Sequence, residues 1–127
     1  MNEATSAGST KTAEDITPIE DSKSKPNIVV PKDSRTIFRS MFPLTVTERE
    51  QSVRWDDFVR AMQYTGMKAK NGGGSIVIFE EETGTGKIVF HRPHPNPTID
   101  PIMLQSMGRR MSKWFGWTRD TFVLAGK

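Results

Sequence analysis

With 127 residues, 35% of them hydrophobic, the chain has material for one small domain and a tail. The absence of cysteine excludes disulfides, thiolate metal sites and a thiol nucleophile, and no apolar run approaches the roughly 20 residues that cross a bilayer. Lys and Arg outnumber Asp and Glu by 18 to 15, but unevenly: residues 1–34 hold four basic and six acidic side chains, a net of −2, which leaves +5 on the rest. A basic folded part favours a phosphate-bearing partner, because clustered cations release counterions condensed on nucleic acid.

From Met1 to about Asp33 the sequence is Ser, Thr, Lys, Glu, Asp, Ala and Pro without an aromatic residue, and its burial cannot offset the entropy of ordering. Residues 1–35 are therefore expected to form a disordered arm. The arm lacks the apolar core of a signal peptide, so an intracellular protein, cytoplasmic or nuclear, is expected. Pro26-Asn27-Ile28-Val29-Val30-Pro31 reads as an extended linker in preference to a docked strand, since its flanking prolines favour polyproline-like geometry. Residues 36–52 make a short helix and a linker: Ile37, Phe38, Met41 and Phe42 share one face, and Pro43 ends the run.

The domain proper is expected over 53–127. Trp55, Phe58, Val59, Ala61 and Met62 define one face of a helix over Arg54–Thr65; Asp56 and Asp57 suit its positive end, and Gly66 closes it. Three strands follow, at Met67–Lys70, Ser75–Glu81 and Lys87–Phe90, separated by a glycine turn and by Thr83-Gly84-Thr85-Gly86. Asp100-Pro101 opens a last helix whose apolar stripe is Ile102, Met103, Met107, Met111, Trp114 and Phe115. Phe115-Gly116-Trp117 is expected to turn the chain so that Trp117 and Phe122 cover the helix pair. Helix, three strands, helix is the pattern of an α+β fold in two layers, α-β-β-β-α.

These words in this order resemble the HicA family, and within it a fungal HicA-like branch: Trp55-Asp56-Asp57-Phe58, Ala61-Met62, Gly74-Ser75, His91-Arg92-Pro93-His94-Pro95, Gly108-Arg109-Arg110 and Phe115-Gly116-Trp117. The resemblance covers about half of the chain. It implies a fold like the double-stranded-RNA-binding domain and the activity of a messenger RNA interferase, a toxin neutralised by a HicB partner. The expected partners are RNA, as single-stranded or structured messenger, and a protein of the antitoxin kind, with no membrane. In the toxins the glycine-serine turn is followed at once by a catalytic histidine; here that place is held by Ile76, which cannot transfer a proton. The resemblance thus implies an RNA-binding domain in which ribonuclease activity, metal-independent, rests on His91 or His94. A non-catalytic protein-interaction module on the same scaffold is the alternative.

Each candidate residue has a second reading. His91 can be a strand-end residue bonded to the backbone, whereas His94, between two prolines, is displayed to solvent. Two histidines without cysteine or a nearby carboxylate before Asp100 do not make a metal site, and no cofactor is expected. Gly74 and Ser75 can cradle a phosphate beside Lys68 and Lys70, or the glycines can serve a hairpin turn that needs positive φ. The run lacks the Gly-Lys-Ser/Thr ending of a P-loop, which argues against an NTPase. Arg92, Arg109, Arg110 and Lys113 are candidate phosphate ligands; the competing roles are a solvated helix face, an Arg that buttresses the fold, and an Arg110–Trp114 cation–π pair.

Overall fold

The computed structural model describes residues 27–84 and 86–124. In chain order these form β1 (Ile28–Val30), α1 (Lys32–Met41), the single turn α2 (Val46–Arg49), β2 (Val53–Arg54), α3 (Trp55–Tyr64), β3 (Met67–Asn71), β4 (Ile76–Glu81), β5 (Lys87–His91), β6 (Thr98–Ile99), α4 (Pro101–Phe115), a 3₁₀ turn at Arg119–Thr121 and β7 (Phe122–Leu124). The fold is mixed α/β.

Its centre is the antiparallel sheet β3-β4-β5, with Ala69 opposite Phe79 and Phe79 opposite Ile88. Strand alternation sends Met67, Val77, Phe79, Ile88 and Phe90 inward and Lys68, Lys70, Ile76, Ile78, Val89 and His91 outward. The inner face meets α3 through a fully buried aromatic cluster: Phe58 packs edge-on against Phe79 and Phe90, with ring centroids 5.5 and 5.9 Å away. Helix α3 forms because Trp55, Phe58, Ala61 and Met62 fall on one stripe, with Asp56 and Asp57 in its first turn and Gly66 at φ +92 just past its end. Helix α4 starts at Asp100, whose side chain accepts the Met103 N–H at 2.8 Å, with Pro101 in the first turn. It ends at Gly116, left-handed at φ +72.

The structure corrects several expectations. The predicted stripe of α4 holds in part: Met107 and Met111 are buried and Met103 and Phe115 pack against the core, joined by Leu104 and Gly108, while Ile102 is 81% and Trp114 64% exposed. The short helix starts at Lys32 rather than near Thr36, so residues 32–35 belong to it and not to a disordered arm. Of the predicted arm, residues 1–26 lie outside the described residues. Ile28–Val30, expected as linker, is a strand paired in parallel with Phe122–Leu124. Flanking prolines do not prevent this, because β1 is an edge strand with one neighbour.

The segments around the sheet add a layer to the two that were expected. Helix α1 packs chiefly on α3, α4 and β7. Phe38 is fully buried there, stacked on Phe122 at 3.9 Å and meeting Trp117 edge-on at 6.3 Å. Trp117 and Phe122, expected to cover the helix pair, pack instead on Phe38 of α1. The close approach of α1 to α4 occurs at Gly108, where an added Cβ would run into the Met41 carbonyl. Glycine is needed at that position because a backbone lies against it. The layer is fastened by Arg119, whose guanidinium donates to both Glu48 carboxylate oxygens at 2.8 Å and to the Phe42 carbonyl at 3.1 Å.

Candidate functional site

The β3–β4 turn is built from glycine for conformational reasons. Gly73 and Gly74 have φ of +103 and +56, and the turn is closed by Gly72 N–H to Ile76 C=O at 2.8 Å and Ile76 N–H to Gly73 C=O at 3.0 Å. It delivers Ser75 to the start of β4. Across the hairpin, the Arg92 N–H donates to the Ser75 carbonyl at 2.7 Å, which makes that pair a hydrogen-bonded one. The adjoining pair, Ile76 with His91, is therefore of the close, non-hydrogen-bonded type, its side chains together on the outer sheet face. Ser75 Oγ lies 3.1 Å from His91 Nδ1. Whichever of the two donates, Nδ1 is engaged, and among the described residues no bond involves Nε2. His91 is exposed, as are Arg92 and His94.

Beyond β5 the chain enters Pro93–Pro97, anchored by the Trp55 N–H donating to the Pro97 carbonyl at 2.9 Å and by the β2–β6 ladder of Val53 with Ile99. The loop and the glycine turn face each other across a cleft of about 370 Å³, lined by Gly74, Ser75, Arg92 and His94 together with Pro93, Pro95 and Pro97. The structure thus brings together four of the predicted site residues, with His91 bonded to one of them. A second hollow, of about 490 Å³, adjoins His91 between β5 and α4 and includes Asp100, Ser106 and Arg110.

The other candidates lie elsewhere. Arg110 donates to the Val89 carbonyl at 2.9 Å and stands 4.9 Å over the Phe90 ring, so it buttresses the edge of β5 and its cation–π partner is Phe90 rather than Trp114. Arg109 lines a groove with Met41, Phe42 and Arg119 on another side of α4. Lys113 is exposed in the last turn of the same helix. Lys70 is ion-paired to Glu80 at 2.9 Å, and it is chiefly this bond, then the charges of Lys70, Lys87 and Lys68, that holds the Glu80 carboxyl below its ordinary range. Lys68 and Lys70 therefore belong to a lysine-rich outer sheet face and not to the cleft.

Sequence reasoning passed over Arg119 and Glu48. A signal for the latter was present: Thr45-Val46-Thr47-Glu48 is a capping box, formed here by Thr45 Oγ1 accepting the Glu48 N–H at 3.1 Å and Glu48 accepting the Thr45 N–H at 3.3 Å.

The fold and cleft define a small mixed α/β domain with a solvent-facing Ser–His pair beside an arginine and a second histidine. Residues 55–112, from the first residue of α3 into α4, match the family model of the HicA toxin of bacterial toxin-antitoxin. This supports a HicA-like family for the sheet and its two helices, while β1, α1, the 3₁₀ turn and β7 lie outside the match. No curated protein and no solved structure matches the chain significantly. No helix among the described residues is long and apolar enough to cross a membrane.

Proposed function

We propose that this chain is an RNA-binding HicA-like domain of the double-stranded-RNA-binding-like class, and that any RNA cleavage it performs runs through His91. The observation that carries the reading is the juxtaposition of Ile76 and His91. The position where the resembled toxins place their histidine is isoleucine, and a histidine stands directly opposite on the same face, its ring oriented by Ser75. A ring held through Nδ1 can exchange a proton at Nε2, which is what general-base attack by a ribose 2′-hydroxyl requires. Arg92, across the Ser75 backbone, supplies charge for the phosphate, and His94 in the facing loop is the second titratable group for the leaving oxygen.

The words of the sequence, above all His91-Arg92-Pro93-His94-Pro95, support a place in the fungal HicA-like branch; in the fold they form the strand end and the cleft wall. A second reading, a protein-interaction module, is favoured by the outer sheet face. It bears Ile76 and Ile78 half-buried and Val89 36% exposed, and no helix among the described residues covers it.

The deciding experiment compares RNA cleavage by the parent, His91→Ala and His94→Ala. Activity in the parent that falls at least a hundredfold in His91→Ala supports the catalytic reading, given the usual contribution of a general base. Equal, contaminant-level rates in all three would sink it. RNA binding is tested separately: Arg92→Ala should weaken binding and flatten its salt dependence, whereas binding that is absent even at low salt removes the nucleic-acid reading.

A further inference from the structure

We propose that single-stranded RNA lies along the seam between β5 and α4, with one base stacked on Trp114, the end of the seam remote from His91. The inference rests on the RNA reading above and extends it along a seam whose far end, Lys113 to Trp117, lies beyond the family match. Strand β5 and helix α4 run antiparallel: His91 shares a hollow with Asp100 and Ser106 near the helix start, and Lys87 shares one with Trp114 and Phe115 at the helix end. The two hollows, about 490 and 460 Å³, therefore follow one another along a single seam. They are separated by the length of β5, about 13 Å at the usual rise per residue. Arg110 stands between them, fixed by the Val89 carbonyl.

The far hollow has the make-up of a base platform. Trp114 is 64% exposed, whereas the other two tryptophans, Trp55 and Trp117, are 3% and 7% exposed, so this ring is displayed while its relatives are core. Phe115 and Trp117 form the apolar floor, and Gly86 keeps the opposite wall low: a Cβ there would stand 3.2 Å from the Phe115 ring. Lys87 lines the hollow and Lys113 precedes Trp114 on the exposed side of the helix, two cations placed for backbone phosphates. Two acids also border the seam. Glu81 lines the Trp114 end, and Asp100 at the His91 end is occupied in capping α4. An aromatic face with flanking cations suits an unpaired nucleotide, since every base has a face to stack and a duplex hides its own.

The test is binding of a fluorescein-labelled 12-nucleotide oligouridylate to the full chain, followed by anisotropy, for the parent, Trp114→Ala, Trp114→Phe and Lys87→Ala/Lys113→Ala. Melting curves serve as a check that the exposed substitutions leave the fold intact. The expected result is a loss of between about fivefold and a hundredfold in Trp114→Ala, the range for one base–aromatic stack, with most affinity kept in Trp114→Phe. The double lysine variant should bind more weakly with a shallower salt slope. Unlabelled oligouridylate should also quench the emission of the parent and not that of Trp114→Phe. If the parent binds and Trp114→Ala binds within twofold of it, the seam assignment is overturned while the RNA reading stands. If the parent binds no oligonucleotide at low salt, the RNA reading itself falls and the seam with it.

Discussion

The cleft at Ser75 and His91 and the junction at Arg119 and Glu48 are both polar constellations that join distant parts of the chain, yet they are built in opposite ways. At the junction one guanidinium is committed to two carboxylate oxygens and a helix-end carbonyl, and both side chains are about four-fifths covered. At the cleft a single 3.1 Å contact holds an exposed imidazole, and Arg92 reaches solvent. Donors that are used up hold a structure together, and donors left over can meet a ligand. The difference separates a fastening from a site more sharply than residue type does, since both contain arginine and a hydrogen-bonded partner.

The contrast can be broken by substitution on either side. The largest effect is expected from Phe38→Ala, which empties the centre of the added layer and should cost about 3–5 kcal/mol, read by urea denaturation. Gly108→Ala should follow at about 1–3 kcal/mol, because the new methyl meets the Met41 backbone, which cannot rotate away as a side chain would. Loss smaller than half a kcal/mol in Gly108→Ala would show that α1 does not pack so closely on α4.

Next comes acidity. Arg119 above all, then the Leu44 backbone N–H, draws the Glu48 carboxyl from 4.5 down to about 2. A carboxyl whose folded value is depressed adds stability above its unfolded value and loses it as pH falls, here between about 4.5 and 2. Melting temperature should therefore be lower in Glu48→Gln than in the parent at pH 7, and the two curves should converge as pH approaches 2. The smallest effect on stability belongs to the site: Ser75→Ala is expected to change unfolding free energy by no more than about 0.5 kcal/mol while shifting the pH profile of any RNA cleavage. A large stability loss there would make Ser75–His91 a fastening after all.

Much of the fold was legible because it obeys local periodicities. Helix α3, the three strands and the Asp100-Pro101 start of α4 stand within a residue or two of where spacing, caps and turns place them. What was not legible depended on packing outside the helix–sheet–helix unit. Leu104 is buried and Trp114 exposed because α4 packs on α1 as well as on β5, and periodicity alone leaves the rotation of a methionine-rich helix open. Ile28–Val30 became a strand because Phe122–Leu124, nearly a hundred positions away, offered it an edge. At the site, the two strands and the 83–86 turn between them were legible, and the facing of Ile76 and His91 is set by their register. The gathering of His94 with Ser75 needed the Pro97–Trp55 bond, which no pattern announces.

That parallel pairing of Ile28 with Phe122 has a kinetic meaning. The loop it closes contains every other described element, and the entropy of closing a long chain falls when the intervening residues have already condensed. The two short strands are therefore expected to pair late, once the sheet and its helices have brought them together.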